Sequence, residues 1–404
     1  MAEAPWLSIL GVGDDGADGL TPAQRRALDG ARMVVGSRRV LDRLTLGESQ
    51  VTDWSAGVQA TIGQILARRG EPVCVLATGD PMHYGIGATL LAHVAADEMR
   101  VLPSPSAFSL AAARLGWPLQ DAAHISLHGR AVERLAAHLS EGRRILALTS
   151  AGGTAGEAAR ILCEAGYGAS RLTVLEHMGG PQERMVETTA EMIGDERFAD
   201  FNTLAIECWA NVRPIVDGTG PGLPDDAYRH DGQLTKREVR AVVLAHLRPA
   251  AGRLLWDVGA GCGSVAIEWM RAAEGARAVA IERDAGRLAM LRENAARLGA
   301  PDIAAIQGEA PDVLSGLDAP HAVFIGGGLS GAGVFEVCWT ALRPGGRLVA
   351  TAVTLESEAR MLALHADHGG ELVRIAVSRA EPVGRFSGWK PFMPVTLFSL
   401  EKPR

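Results

Sequence analysis

The sequence predicts an α/β protein made of two successive units, each with parallel strands joined by helices. Three observations lead to this fold class. Short apolar segments alternate with helical segments through the first half. The segment DGTGPGLPDD (217–226) then interrupts the pattern with residues that favour neither helix nor strand. Beyond it, LLWDVGAGCGSVAIEWM (254–270) has the pattern of a buried strand, a glycine loop and a helix. We therefore expect one unit over 1–217, with lobes of about 1–116 and 117–217, and a second over 218–404.

The elements of the first half follow from apolar runs and helix-start signals. Strands are predicted at 7–12, 33–36, 73–77 and 100–102 in the first lobe, and at 124–128, 144–149, 172–175 and 203–207 in the second. Small hydroxyl residues cap helix N-termini, and proline fits the first turn. On that basis we expect helices to start at Thr21-Pro22, near Ser55, at about Ile86 and near Ser106.

The second half begins with a predicted helix, LTKREVRAVVLAHL (234–247). Its Thr235 and Glu238 have the spacing of a capping box, in which each side chain accepts from the other residue's amide. GGRLVATAVT, ELVRIAVS and PVTLFSLE predict the last three strands of the sheet.

The glycine loop of the second half is the most informative segment. Gly259, Gly261 and Gly263 stand at alternate positions, where side chains would keep a ligand from the backbone. The amides of the next helix then face the ligand, as where α/β sheets hold adenosine-bearing cofactors. The spacing is G-x-G-x-G, and not the G-x-G-x-x-G of dinucleotide sites. Asp257, just before the loop, and Ala260 and Cys262, within it, are expected to bind the cofactor together with the three glycines. Cys262 is expected to be a small filler residue and not a nucleophile.

This loop and the segments after it resemble the Rossmann-like class I S-adenosylmethionine (SAM) methyltransferases. The next strand ends at Glu282, which is expected to accept the ribose hydroxyls. The resemblance places Glu309 and Ala310 at the adenine, adds Thr235 as a cofactor contact, and makes the last two strands antiparallel. HAVFIGGG (321–328) supplies a fourth strand with a glycine turn.

The first half resembles a different family, the tetrapyrrole methylases, which bind SAM in a cleft between two α/β lobes. The resemblance rests on SILGVGDDGADGLT (8–21), ATGDPMHYG (77–85), PSPSAFSLAAARLG (103–116) and LEHMGGPQER (175–184). It implies a first set of cofactor-binding residues: Gly11, Gly79, Asp80, Pro81, Tyr84, Gly85 and Ser106. The first loop reads GDDG where that family usually has a proline, so the roles of Asp14 and Asp15 stay open; they can equally just end the strand.

The order of the two halves resembles fused methyltransferases of aerobic cobalamin (vitamin B12) biosynthesis. This implies two SAM molecules per chain, one in each domain, no metal, and a reduced precorrin-6 as substrate. The first domain would methylate meso carbon 5. The second would methylate meso carbon 15 and decarboxylate the ring C acetate, giving precorrin-8. No catalytic acid or base is assigned. The alternative is an RNA or protein methyltransferase with a non-catalytic, SAM-sensing first domain.

Cationic side chains are the candidates for holding the carboxylates of a tetrapyrrole. One group, Lys236, Arg237 and Arg240, lies on the predicted helix and can equally be solvated. The other, Arg385 and Lys390, lies in the expected loop VGRFSGWKPFMP (383–394) with three aromatic residues, Phe386, Trp389 and Phe392. That loop can cover a flat macrocycle or pack on the sheet.

Composition restricts the partners. The first 217 residues carry 19 Arg and 26 Asp+Glu, so they hold all of the net charge of −7, and neither half is basic. A long basic surface that binds nucleic acid is therefore not expected. No apolar run reaches the roughly 18 residues of a membrane span, and no signal peptide is evident. The five cysteines are scattered, which suits the cytoplasm. Self-association into a homo-oligomer is expected.

Overall fold

The computed structural model describes residues 5–404, whose contacts separate into two units. The first unit contains the chain up to Arg130, then Gly142–Arg160 and Gly168–Trp209. The second contains Ala131–Glu141, Ile161–Tyr167 and Ala210–Arg404. Two short segments of the first half therefore belong to the second unit, and the boundary at 217/218 stays a prediction. No described helix is long and apolar enough to cross a membrane.

The first lobe of the first unit is built on a five-stranded parallel sheet of order β3-β2-β4-β1-β5. Its elements are β1 (Leu7–Val12), α1 (Pro22–Asp29), β2 (Met33–Gly36), α2 (Arg38–Leu41), β3 (Gln50–Asp53), α3 (Val58–Leu66), β4 (Val73–Thr78), α4 (Ile86–Leu90), β5 (Met99–Leu102) and α5 (Ala107–Leu115). β1 and β4 are adjacent and parallel, so the loops that follow them leave the sheet at the same edge. The loop after β4 carries predicted cofactor-binding residues, and Gly11 lies near the end of β1.

Of the four helix starts predicted in this lobe, three are correct, including that of α4 at Ile86, and one is wrong. Thr21 caps α1 in a capping box with Gln24, and Ser106 caps α5 by accepting from the Ser109 amide. Ser55 caps no helix. It lies in a 3-10 turn (Trp54–Ala56) whose cap is Asp53, and α3 begins only after Gly57. Asp53 accepts from the Ser55 amide, so the aspartate has the capping role that we predicted for the serine.

The second lobe is built on a mixed five-stranded sheet of order β6-β7-β10-β8-β9. Its elements are β6 (Ala122–Ser126), β7 (Arg144–Leu148), α6 (Thr154–Ala165), β8 (Arg171–Glu176), β9 (Arg184–Thr189) and β10 (Asn202–Glu207). β6 and β7 are parallel, and the remaining pairs are antiparallel. The four predicted strands are present, and β9 is an edge strand that the sequence did not reveal.

The second unit contains a seven-stranded sheet of order β13-β12-β11-β14-β15-β19-β16. Its elements are α7 (Arg237–Leu247), β11 (Leu254–Val258), α8 (Ser264–Ala272), β12 (Arg277–Glu282), α9 (Ala285–Arg297), β13 (Ala304–Gln307), β14 (Ala322–Ile325), α10 (Val334–Ala341), β15 (Arg347–Ala352), α11 (Leu355–His368), β16 (Glu371–Ile375), β17 (Ser378–Val383), β18 (Phe386–Pro391) and β19 (Val395–Glu401). β16 and β19 are antiparallel, as expected. The strand order reverses at β11, between β12 and β14, and ligands of α/β sheets bind at such a point.

The core of the second unit lies on both faces of this sheet. Leu255 of β11 belongs to a buried cluster with residues of α7, α8 and α9. Its neighbours Leu254 and Trp256 belong to a second cluster with residues of α10 and α11. Successive strand residues thus point into opposite layers, which explains why the run 254–258 is apolar throughout. The glycine loop is held at the end of a strand that is covered on both sides.

The start of α7 differs from the prediction. Its N-cap is Lys236, and Thr235 lies one residue outside the helix without a side-chain capping bond. The Arg237 amide instead donates to Asp225 Oδ1 over 2.9 Å. Glu238 pairs with Arg379 over 2.6 Å, which lowers the pKa of Glu238 to about 2. The predicted capping box is therefore wrong, because Asp225, twelve residues before Arg237, accepts the hydrogen bond at the start of the helix.

The expected loop over 383–394 is mainly a β-hairpin. β17 and β18 pair with each other as a separate two-stranded sheet. Phe386 and Trp389 are 68% and 77% exposed, so neither packs on the large sheet within the chain. The packing alternative is wrong for these two side chains.

Candidate functional site

The glycine loop of the second unit is shaped by its close approach to a second glycine turn. Gly259 follows β11 with a φ of +72°, a conformation that L side chains rarely adopt. A Cβ atom there would lie 3.0 Å from the Gly327 backbone nitrogen, in the glycine turn that follows β14. The loop after β11 and the turn after β14 therefore meet at the carboxyl edge of the sheet. Only a residue without a side chain fits at position 259.

Glu282 ends β12 beside this loop. Its Oε2 accepts from the Gly261 amide at 2.9 Å, and its Oε1 accepts from the Asp284 amide at 2.9 Å. The side chain is largely buried yet lines the pocket described next. A carboxylate fixed by two backbone donors is pre-organised to accept further hydrogen bonds from a ribose.

The carboxyl edge of the sheet opens into a pocket of about 910 Å³. This volume lies within the range of cofactor and ligand sites. The structure brings most predicted cofactor residues of the second unit into its lining: Thr235, Gly259, Ala260, Gly261, Cys262, Glu282, Glu309 and Ala310. The sequence therefore identified one contiguous surface from four separate segments.

Asp257 and Gly263 do not line this pocket. Asp257 is buried beneath the loop, where its Oδ2 accepts from the Ala266 amide at 3.0 Å. Its Oδ1 has no partner among the described residues, and burial raises the pKa of Asp257 to about 7. Asp257 therefore holds the start of α8, and Gly263 is the N-cap of that helix.

The predicted cationic residues lie in different environments. Lys236 lines the pocket. Arg240 does not, because its side chain is fully buried and paired with Glu268 at 2.5 Å; its assignment as a substrate ligand is wrong. Its Nη1 instead donates to the Thr235 carbonyl at 2.5 Å and fixes that part of the pocket wall. Arg237 is half-exposed and lies outside the pocket, 3.5 Å from Glu238.

Arg385 and Lys390 lie on the hairpin and do not line the pocket either. Lys390 pairs with Glu381 at 2.9 Å, and the Arg385 guanidinium lies over Phe386. Of the three hairpin aromatic residues, only Phe392 contributes to the pocket wall.

One part of the pocket wall was missed by sequence reasoning. Thr351, Val353, Ile375, Val377, Met393 and Val395 line it together with Arg283 and Arg287. Thr351 and Ile375 lie near the ends of β15 and β16, and Met393 and Val395 lie at the start of β19. The sequence predicted where these strands begin and end, and strand ends that meet at one sheet edge indicate such a wall. The order in which β15, β19 and β16 pair was needed to show that these ends lie together.

In the first unit, the predicted cofactor residues gather around the end of β1 and the loop after β4. Gly11 lies within β1, and a Cβ atom there would lie 2.0 Å from the Gly79 carbonyl oxygen, so the end of β1 lies against that loop. Asp80 Oδ1 accepts from the Met82 amide at 2.8 Å, and Pro81 is buried. Tyr84 has a φ of +56°, and its hydroxyl donates to the His124 carbonyl at 2.9 Å. Backbone strain of this kind clusters at functional sites.

A cleft of about 30 Å³ lies between the two lobes of this unit. Of the predicted set it is lined by Gly79 alone; Gly11, Asp80, Pro81, Tyr84, Gly85 and Ser106 do not line it. Its volume is that of one or two water molecules, which is too small for a nucleoside.

Asp14, whose role was open, also lines this cleft and is buried. Its carboxylate pairs with Arg39 at 2.7 Å, with Arg43 at 2.8 Å and with His177 Nδ1 at 3.1 Å. The simple strand-ending role is therefore wrong for Asp14, while Asp15 is exposed. Sequence reasoning missed the two arginines, because they lie in and beside a four-residue helix without a recognisable motif.

Known protein families match both halves. The tetrapyrrole (corrin/porphyrin) methylases match residues 7–194, and the precorrin methyltransferase domain matches residues 226–402. The precorrin-6Y C(5,15)-methyltransferase [decarboxylating] of Sinorhizobium sp. is 45% identical over 402 residues, covering 99% of this chain and 97% of its own.

Two shorter relatives each match 44% of the chain. The cobalt-precorrin-7 C(5)-methyltransferase of Salmonella typhimurium is 33% identical over 181 residues, which cover 88% of it. A protein of Pyrobaculum calidifontis, described as a probable cobalt-precorrin-6B C(15)-methyltransferase (decarboxylating), is 34% identical over 186 residues, which cover 95% of it.

Proposed function

The chain belongs to the precorrin-6Y C(5,15)-methyltransferase (decarboxylating) family, and from this premise we propose that it makes precorrin-8 from a reduced precorrin-6. Two methyl groups are added, at meso carbons 5 and 15, and the carboxyl group of the ring C acetate leaves as carbon dioxide, so that a proton then turns this side chain into a methyl group. The observation that carries this proposal is the 45% identity, over nearly the whole of both chains, to a relative of that name. It disfavours the alternative of an RNA or protein methyltransferase with a SAM-sensing first domain.

We propose that the two units divide the reaction. The first unit methylates carbon 5; the second methylates carbon 15 and releases carbon dioxide. Support comes from the two shorter relatives, whose names assign the two positions to separate proteins that each match less than half of the chain. Each unit would then hold its own SAM.

The pocket of the second unit fits SAM by two features. Glycine at 259 lets a ligand lie against the backbone, and the fixed carboxylate of Glu282 can accept ribose hydroxyls. When bound, SAM supplies an electrophilic methyl group on its sulfonium. The protein then has to hold the ring carbon in line with that group, because meso carbons of a reduced tetrapyrrole are already nucleophilic.

The apolar wall of the pocket suits the decarboxylation. Val353, Ile375, Val377 and Val395 give a carboxylate placed there no hydrogen-bonding side chain. When carbon dioxide leaves, the electron pair of the broken bond passes into the conjugated ring, protonated at nitrogen, so the carboxylate charge that such surroundings disfavour is neutralised. Lys236 lines the pocket with no carboxylate within ion-pairing distance among residues 5–404, so it can orient another carboxylate of the substrate. Burial raises the pKa of Cys262 to about 11, which keeps that group a thiol.

We further propose that the protein self-associates through the hairpin β17–β18. Val383, Phe386, Trp389 and Met393 are each more than 60% exposed. Phe386 and Trp389 are three positions apart in β18 and so point to opposite faces of the hairpin, and a partner that surrounds the hairpin would cover both. Light scattering should give a multiple of the chain mass, and Trp389→Lys should shift it towards one chain. An unchanged mass in that variant would contradict this interface.

The reaction is tested by incubating the intact protein with SAM and the reduced precorrin-6, followed by mass spectrometry. A product with two added methyl groups and one lost carbon dioxide is expected. Carbon-13 in the methyl group of SAM then locates the two positions by NMR. A product with only one labelled carbon, or with no loss of carbon dioxide, would contradict the proposed reaction.

A further inference from the structure

A group of cations in the first unit is not balanced by acids. Arg39 and Arg43 both pair with the single carboxylate of Asp14, at 2.7 and 2.8 Å. Among residues 5–404, no other carboxylate lies within ion-pairing distance of either guanidinium. His177 approaches the other oxygen of Asp14 at 3.1 Å. Two guanidinium groups therefore share one negative charge, which leaves an excess positive charge at the cleft.

Arg39 is held in a defined orientation at this cleft. Its guanidinium carbon lies 3.6 Å from the centre of the Phe201 ring, and its Nη2 donates to Thr78 Oγ1 at 3.0 Å. Thr78, Phe201 and Asp14 all line the cleft. Arg39 and Arg43 do not line the cleft themselves, but they contact Asp14, which does, and about 30% of their side chains remains exposed, so a ligand that extends beyond the cleft can reach them.

The environment of Arg39 favours an additional anion. Burial lowers the pKa of Arg39, the nearby charge of Arg43 lowers it further, and Asp14 opposes both effects only in part. A second carboxylate would offset the remaining cost of burying the charge. The planar guanidinium suits carboxylates in particular, because it can donate two parallel hydrogen bonds.

We propose that Arg39 and Arg43 bind a carboxylate of a molecule that enters the cleft of the first unit, with Asp14 as the positioning residue that orients both arginines. This inference rests on the proposed methylation by that unit. Two molecules of the reaction carry such a group: the tetrapyrrole, through its acid side chains, and SAM, through its amino acid end. The chemistry at the arginines is the same for both.

The test uses Arg39→Gln in the full chain, with Arg39→Lys as the conservative variant. Methylation at carbon 5 is measured while either the tetrapyrrole or SAM is varied. In Arg39→Gln, loss of the two charge-assisted hydrogen bonds of the guanidinium should raise one of the two KM values about 10- to 100-fold. In Arg39→Lys the positive charge remains, so that KM should rise less. Methylation at carbon 15 and carbon dioxide release, measured in the same samples, should stay unchanged and show that the chain is folded.

Binding measurements identify the source of the carboxylate. They use S-adenosylhomocysteine and 5′-methylthioadenosine, which lacks the amino acid end, in a Gly261→Arg background that leaves the first unit as the only site. If SAM supplies the carboxylate, Arg39→Gln weakens the binding of S-adenosylhomocysteine and leaves the binding of methylthioadenosine unchanged. If the tetrapyrrole supplies it, neither nucleoside is affected and the tetrapyrrole KM rises.

Arg43→Gln gives a second, independent reading, because Asp14 keeps Arg39 and His177 in that variant. The proposal is overturned if both variants leave both KM values and the nucleoside affinities within about twofold of the parent. A fall in kcat alone also overturns it. Failure of the proposed function is distinguishable, because it would appear as a missing methylation in the unaltered protein.

Discussion

Gly261→Arg tests whether the two units act independently. Gly261 has a φ of +57°, so any side chain there costs about 1–2 kcal/mol. A Cβ atom would meet nothing closer than the Gln233 carbonyl oxygen at 3.9 Å. The cost is well below the roughly 5–15 kcal/mol stability of a typical protein, so the variant should fold.

The arginine should nevertheless prevent SAM from binding to the second unit. Gly261 and Gln233 both line the pocket, so the new side chain enters space that the cofactor needs and places a cation near the sulfonium. Affinity at this site should fall about 100-fold or more, equivalent to roughly 3 kcal/mol. Calorimetry should then detect one SAM per chain instead of two.

Product analysis completes the experiment. Methylation at carbon 15 and carbon dioxide release should disappear together, while methylation at carbon 5 persists. Gly261→Ala is the matched control, because it carries the same backbone strain with only a methyl group, and it should keep most of the activity. Retained carbon dioxide release in Gly261→Arg would refute the pocket assignment, and loss of both methylations in a folded protein would refute independent sites. An equal loss of activity in Gly261→Ala would indicate that backbone strain at position 261, and not a blocked pocket, causes the effect.

Three further predictions concern the second unit. Glu282→Gln should lower the affinity of the second unit for SAM about 10-fold, because an amide accepts hydrogen bonds from the ribose hydroxyls less strongly than a carboxylate does. Methylation at carbon 5 should stay unchanged. Burial raises the pKa of Asp257 from 3.8 to about 7, so its contribution to stability is complete below pH 4 and is lost as the pH rises through 7. That loss is of the order of 4 kcal/mol, and urea titrations of Asp257→Asn should show a smaller fall over this range; parallel curves would contradict it. Arg240→Met should lower the unfolding free energy by about 3–5 kcal/mol, because Glu268 would keep a buried charge without its partner. A loss below about 1 kcal/mol would indicate that the backbone amides and Tyr228 satisfy Glu268 by themselves.

Much of the candidate site was predictable because its signals are local. The buried strand, the glycine loop and the helix of 254–270 are consecutive in the chain, and so are the strand and acid that end at Glu282. Parallel strands bring their carboxyl ends to one edge, so a correct list of strands already places most of the pocket. The caps at Thr21 and Ser106 were correct for the same reason, since each depends on residues three positions apart.

The errors in the second unit came where a distant residue replaced a local partner. Thr235 and Glu238 have the capping-box spacing, yet Asp225 accepts from the first helical amide and Arg379 pairs with Glu238. Arg240 is a charged residue on a polar-looking helix, and only the fold shows that Glu268 accompanies it into the core.

The sequence by itself determined the two α/β units, the glycine loop and the acid beside it, because a strand, a turn and a helix start are set by neighbouring residues. The tertiary structure alone decided which charges are buried and with whom they pair. Asp14 and His177 are 163 positions apart, and Glu268 and Arg240 are 28 apart. The free energy of a buried charge depends on solvent exclusion and on partners within a few ångströms, and neither quantity is encoded in the spacing of residues along the chain.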